Sequence, residues 1–308
     1  MRRLQSRSLR HPPDAPGRTA KSISRQRGAE RRPRMTTATV HPTESGLLDF
    51  VVAGAQKCGT TTLYAYLDGH PSVSMANPKE THFFDTETAD WSRPDYARLH
   101  ALVPPGGAIS GEATPVTLYW LPAHARLRAY NPRLKIILLF RDPIDRAYSN
   151  WRMVRRFSEA GVTVGGQAVE TLPFGEAIRD GRRRMAEHVE VPGLNRWWAY
   201  VERGLYAEQV RHFQRYFPAE QFLILNFDDI HNNPGALLAR VAEFLDIDPN
   251  GFTTERLIEN LGGDREDKGP DEDDVRYLSK LFRDDLVAFQ EMSGLDLSTW
   301  RTWRAVRS

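Results

Sequence analysis

One cysteine, Cys58, stands in a chain of 308 residues, which excludes an intramolecular disulfide and a cysteine-built metal cluster. The nine histidines show no HExxH or comparable ligand spacing, so no metal requirement is expected. Long apolar runs are also missing. None exceeds about five residues, against the ~20 needed to span a bilayer, so no integral membrane segment is expected.

Acidic residues are scarce in one place only. Residues 1–34 carry eleven Lys or Arg against Asp14 and Glu30, with almost no apolar periodicity, and such a segment cannot bury enough surface to order itself. It lacks the apolar stretch of a signal peptide, and its Arg/Ser content matches a transit peptide in composition alone. Met35, followed by Thr-Thr-Ala-Thr-Val-His-Pro, offers an alternative start. The expected organisation is a disordered Arg-rich tail over residues 1–45, upstream of the true start if that is Met35, and one folded domain over 46–308. From residue 35 onward 31 basic side chains face 38 acidic ones, a net charge of −7. No patch interleaves basic and aromatic residues, so no nucleic-acid partner is expected.

What the sequence does contain is an anion cradle. The apolar run Phe50-Val-Val-Ala leads into Gly54-Ala-Gln-Lys57-Cys58-Gly59-Thr60-Thr61-Thr62, a strand, a loop and the start of a helix. Small glycines let backbone N–H groups turn toward an anion, the helix offers its positive end, and threonine hydroxyls add donors. Gly54 and Gly59 keep the G-x-x-x-x-G spacing of a phosphate-binding loop, but Thr60 stands where GK[ST] has its lysine, and the one lysine is Lys57. By itself such a loop also reads as a tight turn. Cys58 within it reads either as a thiol activated by Lys57 and the helix end or, the preferred reading, as a small packing residue.

A second segment, Leu134-Lys-Ile-Ile-Leu-Leu-Phe-Arg141-Asp142-Pro143, is a continuous apolar strand that ends in an arginine and then enters a helix with an Asp cap and Pro at its first position. Arg141 thus lies at a strand's carboxyl end, where open α/β sheets bind ligands. Ser149 follows about two helical turns after Pro143.

With these two motifs the chain resembles the sulfotransferases that use 3′-phosphoadenosine 5′-phosphosulfate, in particular the heparan sulfate 3-O- and N-sulfotransferase branch and its bacterial relatives. The resemblance runs over about residues 48–290, through Gly204-Leu-Tyr-Ala-Glu-Gln, Phe217-Pro-Ala-Glu-Gln and Asp228-Asp-Ile. It implies that Lys57, Gly59, Thr60 and Thr61, with Cys58 and Thr62 in the same loop, hold the 5′-phosphosulfate, and that Arg141 and Ser149 hold the 3′-phosphate. Asp267-Lys268-Gly269-Pro270 is similar to the family's Lys-Gly-Arg clamp, which implies cofactor contacts from Lys268 and Gly269 although Pro270 replaces the arginine. A solvated charged loop is the other reading of that segment.

Pro78-Lys79-Glu80-Thr81-His82-Phe83-Phe84-Asp85 is similar to the Lys-Glu-x-His-Phe-Phe-Asp segment of the same branch, whose glutamate is taken as general base. Sulfuryl transfer needs a base at the acceptor and a cation at the breaking bridge. The resemblance implies Glu80 as the base and Lys57 as the cation, with His82 the other candidate base. If the segment is extended, residues 80 and 82 share a face and both can reach one acceptor; His82 and Asp85 are the candidate acceptor-binding residues. Against this, Glu80 has a plain reading as an ion-pair partner of Lys79. Gly111-Glu112-Ala113-Thr114-Pro115 matches the family's Glu-Lys-[Ser/Thr]-Pro element with Ala113 in place of the lysine.

Strand-like runs near 50–54, 108–110, 135–140 and 222–227 alternate with helical stretches at 61–69, 143–157, 204–216, 235–245 and 273–289. This pattern predicts an α/β fold, three-layered and P-loop-like, with a mostly parallel central sheet flanked by helices. The irregular segment 157–200, with Arg182-Arg183-Arg184 and Trp197-Trp198, is expected to shape the acceptor pocket, although the arginines also read as a solvated helix face and the tryptophans as packing.

The expected activity is sulfuryl transfer from 3′-phosphoadenosine 5′-phosphosulfate to a hydroxyl, or secondarily an amine, of a carbohydrate, glycolipid or secondary-metabolite acceptor. Adenosine 3′,5′-bisphosphate is the other product, and the enzyme is expected to be metal-independent, cytoplasmic, and a monomer or homodimer. The competing readings are a P-loop kinase or NTPase, with Asp142 as magnesium ligand, and a non-catalytic nucleotide-binding scaffold.

Overall fold

The computed structural model of the chain describes residues 46–164, 167–188, 195–253 and 269–307. Strands β1 (Phe50–Gly54), β2 (Val73–Met75), β3 (Ile109–Glu112), β4 (Lys135–Phe140), β5 (Thr163–Val164), β6 (Gln167–Ala168) and β7 (Phe222–Asn226) form two sheets. The main one has the order β2-β3-β1-β4-β7 and is parallel throughout; β5 and β6 form a small antiparallel pair. Helices α1 (Thr60–Asp68), α2 (Tyr96–His100), α3 (Leu121–Tyr130), α4 (Pro143–Glu159), α5 (Phe174–Glu187), α6 (Tyr206–Phe213), α7 (Phe227–Asn232), α8 (Pro234–Leu245), α9 (Glu272–Ser293) and α10 (Arg301–Arg307) flank it. The predicted α/β class with a mostly parallel sheet holds.

The sheet forms where the sequence is apolar without alternation, because a parallel strand covered on both faces has no solvent side. All five residues of β1 are buried, as are five of the six in β4. Their side chains join Leu63 and Leu67 of α1, Val210 and Phe213 of α6, and Leu286 and Phe289 of α9 in the main core. Gly111 of β3 is a packing requirement: a Cβ there would sit 2.3 Å from the Phe50 ring. A second cluster joins Ile144 and Val154 of α4, Ile178 of α5 and Phe282 of α9.

Several boundaries differ from expectation. β2 is a short strand with no counterpart in the predicted set, and α5 gives regular structure to the segment taken as irregular. Phe227, taken as a strand end, opens α7, because the Asn226 side chain accepts the Asp228 amide and caps a helix there.

From β1 the chain crosses to β2, returns to β3, and then passes to β4 on the other side of β1. The direction of strand order therefore reverses beside β1, and the crevice outside the carboxyl ends of the strands there is where such sheets bind ligands. The segments leaving the carboxyl ends of β1, β2, β3 and β4 carry the candidate residues.

Candidate active site

The loop leaving β1 is held by the sheet: the Ala55 amide donates to the Leu139 carbonyl at 2.7 Å. Lys57 (φ 71°) and Gly59 (φ 82°) both adopt left-handed backbone. Gly59 does so freely, whereas Lys57 pays strain typical of functional sites. Gly59 is also the N-cap of α1 and supplies no side-chain cap, so the first-turn amides of α1 depend on an acceptor from outside the helix. Of the three threonines, Thr60 is buried, Thr61 exposed and Thr62 half-buried.

Cys58 points into the core, and burial pushes its thiol up to about 11. Its amide donates to the Ala55 carbonyl at 3.2 Å. The activated-thiol reading is thus replaced by packing, and neither polar group of Cys58 is available to an anion.

Lys57 places its ammonium 3.6 Å from the Met153 sulfur on α4. Burial lowers its pKa, the charge of Glu80 opposes that, and Arg156 and Arg141 reinforce it. The charges of the candidate base and of the strand-end arginine therefore both act on the loop lysine. Arg141 lies at the end of β4 with its guanidinium 4.8 Å from the Phe227 ring centre, and Ser149 is half-buried two turns into α4. Gly269 has left-handed backbone (φ 70°); Lys268 lies outside the described residues.

The segment after β2 follows the end of β3: the Ala76 amide donates to the Gly111 carbonyl at 2.8 Å, and the Glu80 amide to the Ala113 carbonyl at 3.0 Å. It is not extended as expected. Glu80 (φ 63°) and His82 (φ 50°) are both left-handed, and two such residues flanking Thr81 are a strained arrangement. Their side chains nevertheless converge, with His82 Nε2 3.8 Å from Glu80 Oε2. Lys79 donates to Glu80 Oε1 at 2.6 Å, so the Lys79 ion pair is present at the same carboxylate.

His82 Nδ1 donates to Asp85 Oδ2 at 2.9 Å, and that hydrogen bond chiefly raises the pKa of His82. Asp85 is fully buried; burial pushes it up, but the hydrogen bond from His82 and the charge of Arg196, 2.6 Å away, carry it below its ordinary value. Asp85 is accordingly the carboxylate that fixes the His82 ring rather than a group open to an acceptor.

Other participants were not legible as site residues. Glu112, at the end of β3, is buried; its Oε2 accepts Thr114 Oγ1 at 2.6 Å and Thr81 Oγ1 at 3.2 Å, while Oε1 has no partner. Arg196 comes from a short 3₁₀ turn 111 residues from Asp85, a separation no local motif reveals. Asp142, the magnesium ligand of the kinase reading, is spent on structure: Oδ1 accepts the Ile144 and Asp145 amides and the Thr302 hydroxyl, and Oδ2 accepts the Thr302 amide. In the Arg182–Arg184 run, Arg182 pairs with Glu202, Arg183 with Asp180 and Glu187, and Arg184 with buried Glu170. Trp198 is buried with its Nε1 donating to the Val169 carbonyl, whereas Trp197 is half-buried against Phe157.

With the geometry in view, comparison with known proteins gives a consistent picture. The family model described as a sulfotransferase domain matches residues 47–265. The human bifunctional heparan sulfate N-deacetylase/N-sulfotransferase 3 is 28% identical over 285 residues, covering 82% of this chain and 31% of that protein. The human heparan sulfate glucosamine 3-O-sulfotransferase 6 is 29% identical over 198 residues, covering 63% and 51%. This chain thus spans about a third to a half of these relatives. The crystal structure of a sulfotransferase from Alicyclobacillus acidocaldarius superposes with a TM-score of 0.66 at 25% identity, covering 82% of this chain and 98% of that one.

Proposed function

Since the chain belongs to the sulfotransferase family, we propose that it moves a sulfuryl group from 3′-phosphoadenosine 5′-phosphosulfate to a hydroxyl, or secondarily an amine, of a carbohydrate, glycolipid or secondary metabolite. The anion loop suits such a donor: the first-turn amides of α1 lack a side-chain cap, and the cations Lys57 and Arg141 lie within electrostatic reach of each other. In this reading Lys57 and residues 59–62 take the 5′ end, and Arg141, Ser149, Lys268 and Gly269 take the 3′ side. Ala113, which stands where the family's branch carries lysine, is fully buried, so selectivity for an acceptor must come from other residues.

The observation that carries the reading is that Glu80, from the segment after β2, bears on the anion loop: its charge opposes the lowering of the Lys57 pKa by burial, and its carboxylate lies 3.8 Å from His82 Nε2. Glu80 takes the acceptor proton as the acceptor oxygen bonds to sulfur. Lys57 supplies positive charge at the bridge oxygen as its bond to sulfur breaks and bisphosphate leaves, with attack in line. His82, its ring fixed by Asp85, orients Glu80 or the acceptor.

Replacing Glu80→Gln is expected to lower kcat by about 10²–10⁴-fold while the dissociation constant for adenosine 3′,5′-bisphosphate stays within about twofold of wild type. Lys57→Ala is expected to weaken both. Turnover by the Gln variant at the wild-type rate would remove Glu80 from the mechanism and leave His82 as the base.

A further inference from the structure

Two arginines behind the anion loop have no ion-pair partner among the described residues. Arg146 of α4 and Arg203 of the 3₁₀ turn before α6 are both buried. Arg146 donates to the Asn150 side-chain oxygen at 3.2 Å and to the Tyr200 carbonyl; Arg203 donates to the Gln56 side-chain oxygen and, at 2.7 Å, to the Arg196 carbonyl, with its guanidinium 5.2 Å from the Tyr119 ring centre. Every acceptor is neutral, and the Nε of each arginine is buried without a partner. Neither forms an ion pair among the described residues. Glu202, the carboxylate that acts on Arg146, is already paired with Arg182 at 2.7 Å.

These cations belong to the loop. Gln56, which Arg203 holds, precedes Lys57, Arg146 acts on Cys58, and Arg141 acts on Arg146. Burial, with the charge of Arg146 acting in the same direction, pulls the Arg203 guanidinium down to about 10, so Arg203 stays charged at neutral pH. Buried charge without a counter-ion disfavours the fold unless something supplies the opposite charge, and replacing such a group by an apolar one of similar volume often stabilises.

We propose that Arg146 and Arg203 form a buried positive plate under the anion loop, which the ligand-free fold carries unfavourably and which the phosphate and sulfate groups of a bound ligand neutralise. They are positioning residues: they attract and seat the anion through the loop, Arg203 by way of Gln56, without touching it. The identity of that anion as the nucleotide donor rests on the proposed function; the plate itself does not. The consequence is a pairing of effects that an ordinary structural role does not produce, in which loss of the charge stabilises the empty protein and weakens the ligand.

The test uses the full chain with Arg203→Met, Arg146→Met and Arg203→Lys, melted alone and titrated with adenosine 3′,5′-bisphosphate, inorganic pyrophosphate and adenosine. The expected result is a Tm for each Met variant equal to or above wild type without ligand, together with roughly tenfold or greater loss of affinity for bisphosphate and pyrophosphate. Arg203→Lys should retain most of the affinity, and adenosine should not respond to charge. A Met variant that melts below wild type or fails to fold overturns the proposal, as does one that binds both anions like wild type. Wild type that ignores bisphosphate but binds pyrophosphate in an Arg203-dependent way would overturn the donor reading and leave the plate standing.

Discussion

At the scale of the residue, the site is organised by a few side chains whose charge is decided by burial. Glu112 is the clearest case. Burial pushes its carboxyl from 4.5 to about 7, against the hydrogen bonds from Thr114 and Thr81. Between those values the folded protein holds a proton that the unfolded chain has released, so stability falls as pH rises across that window. His82 acts in the same sense: its folded pKa is raised by Asp85, so its contribution is present below about 6.5 and is lost as pH rises through the folded value. Melting measured from pH 5 to 8 should therefore show a decline. Glu112→Gln, which mimics the protonated acid, should flatten most of it and be more stable than wild type at pH 8 by roughly 3 kcal/mol. An unchanged slope would mean that Glu112 is ionised throughout. The sequence reveals Glu80, His82 and Lys57 because they sit in short ordered motifs. It hides Glu112, Arg146, Arg196 and Arg203, whose importance lies in burial and in partners brought from distant segments.

At the scale of the element, legibility followed length and purity of pattern. β1 and β4 are uninterrupted apolar runs, and both were placed to the residue. α3 was hidden because His124 occupies a core position of its Ala123, Leu127, Tyr130 face. α5 was hidden because glycines and seven charged residues surround a buried face of Phe174, Ala177, Ile178 and Gly181. β2, three residues long, offers no pattern at all. The N-cap of α4 was readable from Asp142-Pro143, but its second duty was not: the same carboxylate holds Thr302 at the start of α10 with two bonds. Asp142→Ala removes the cap and strands the buried Thr302 amide, and it should cost about 2–4 kcal/mol. Asp142→Asn should recover part of this. An unfolding free energy from denaturant titration within about 0.5 kcal/mol of wild type for Asp142→Ala would show that the cap contributes little.

At the scale of the whole molecule, the parallel sheet brings four segments from separate parts of the chain to one crevice, and the family model covers residues 47–265. We propose that residues 46–308 are the catalytic unit. Removing residues 1–45 should leave Tm and bisphosphate affinity unchanged at moderate ionic strength, and a fall in either would assign the tail a part in folding or binding. Among the described residues no helix is long and apolar enough to cross a membrane. The central claim, that the crevice is a 3′,5′-phosphorylated nucleotide site, is tested most directly by titration calorimetry with adenosine 3′,5′-bisphosphate and with ATP in the presence of EDTA. Saturable binding of the bisphosphate, with ATP much weaker, is the predicted result. ATP binding that requires magnesium, with no heat from the bisphosphate, would contradict it.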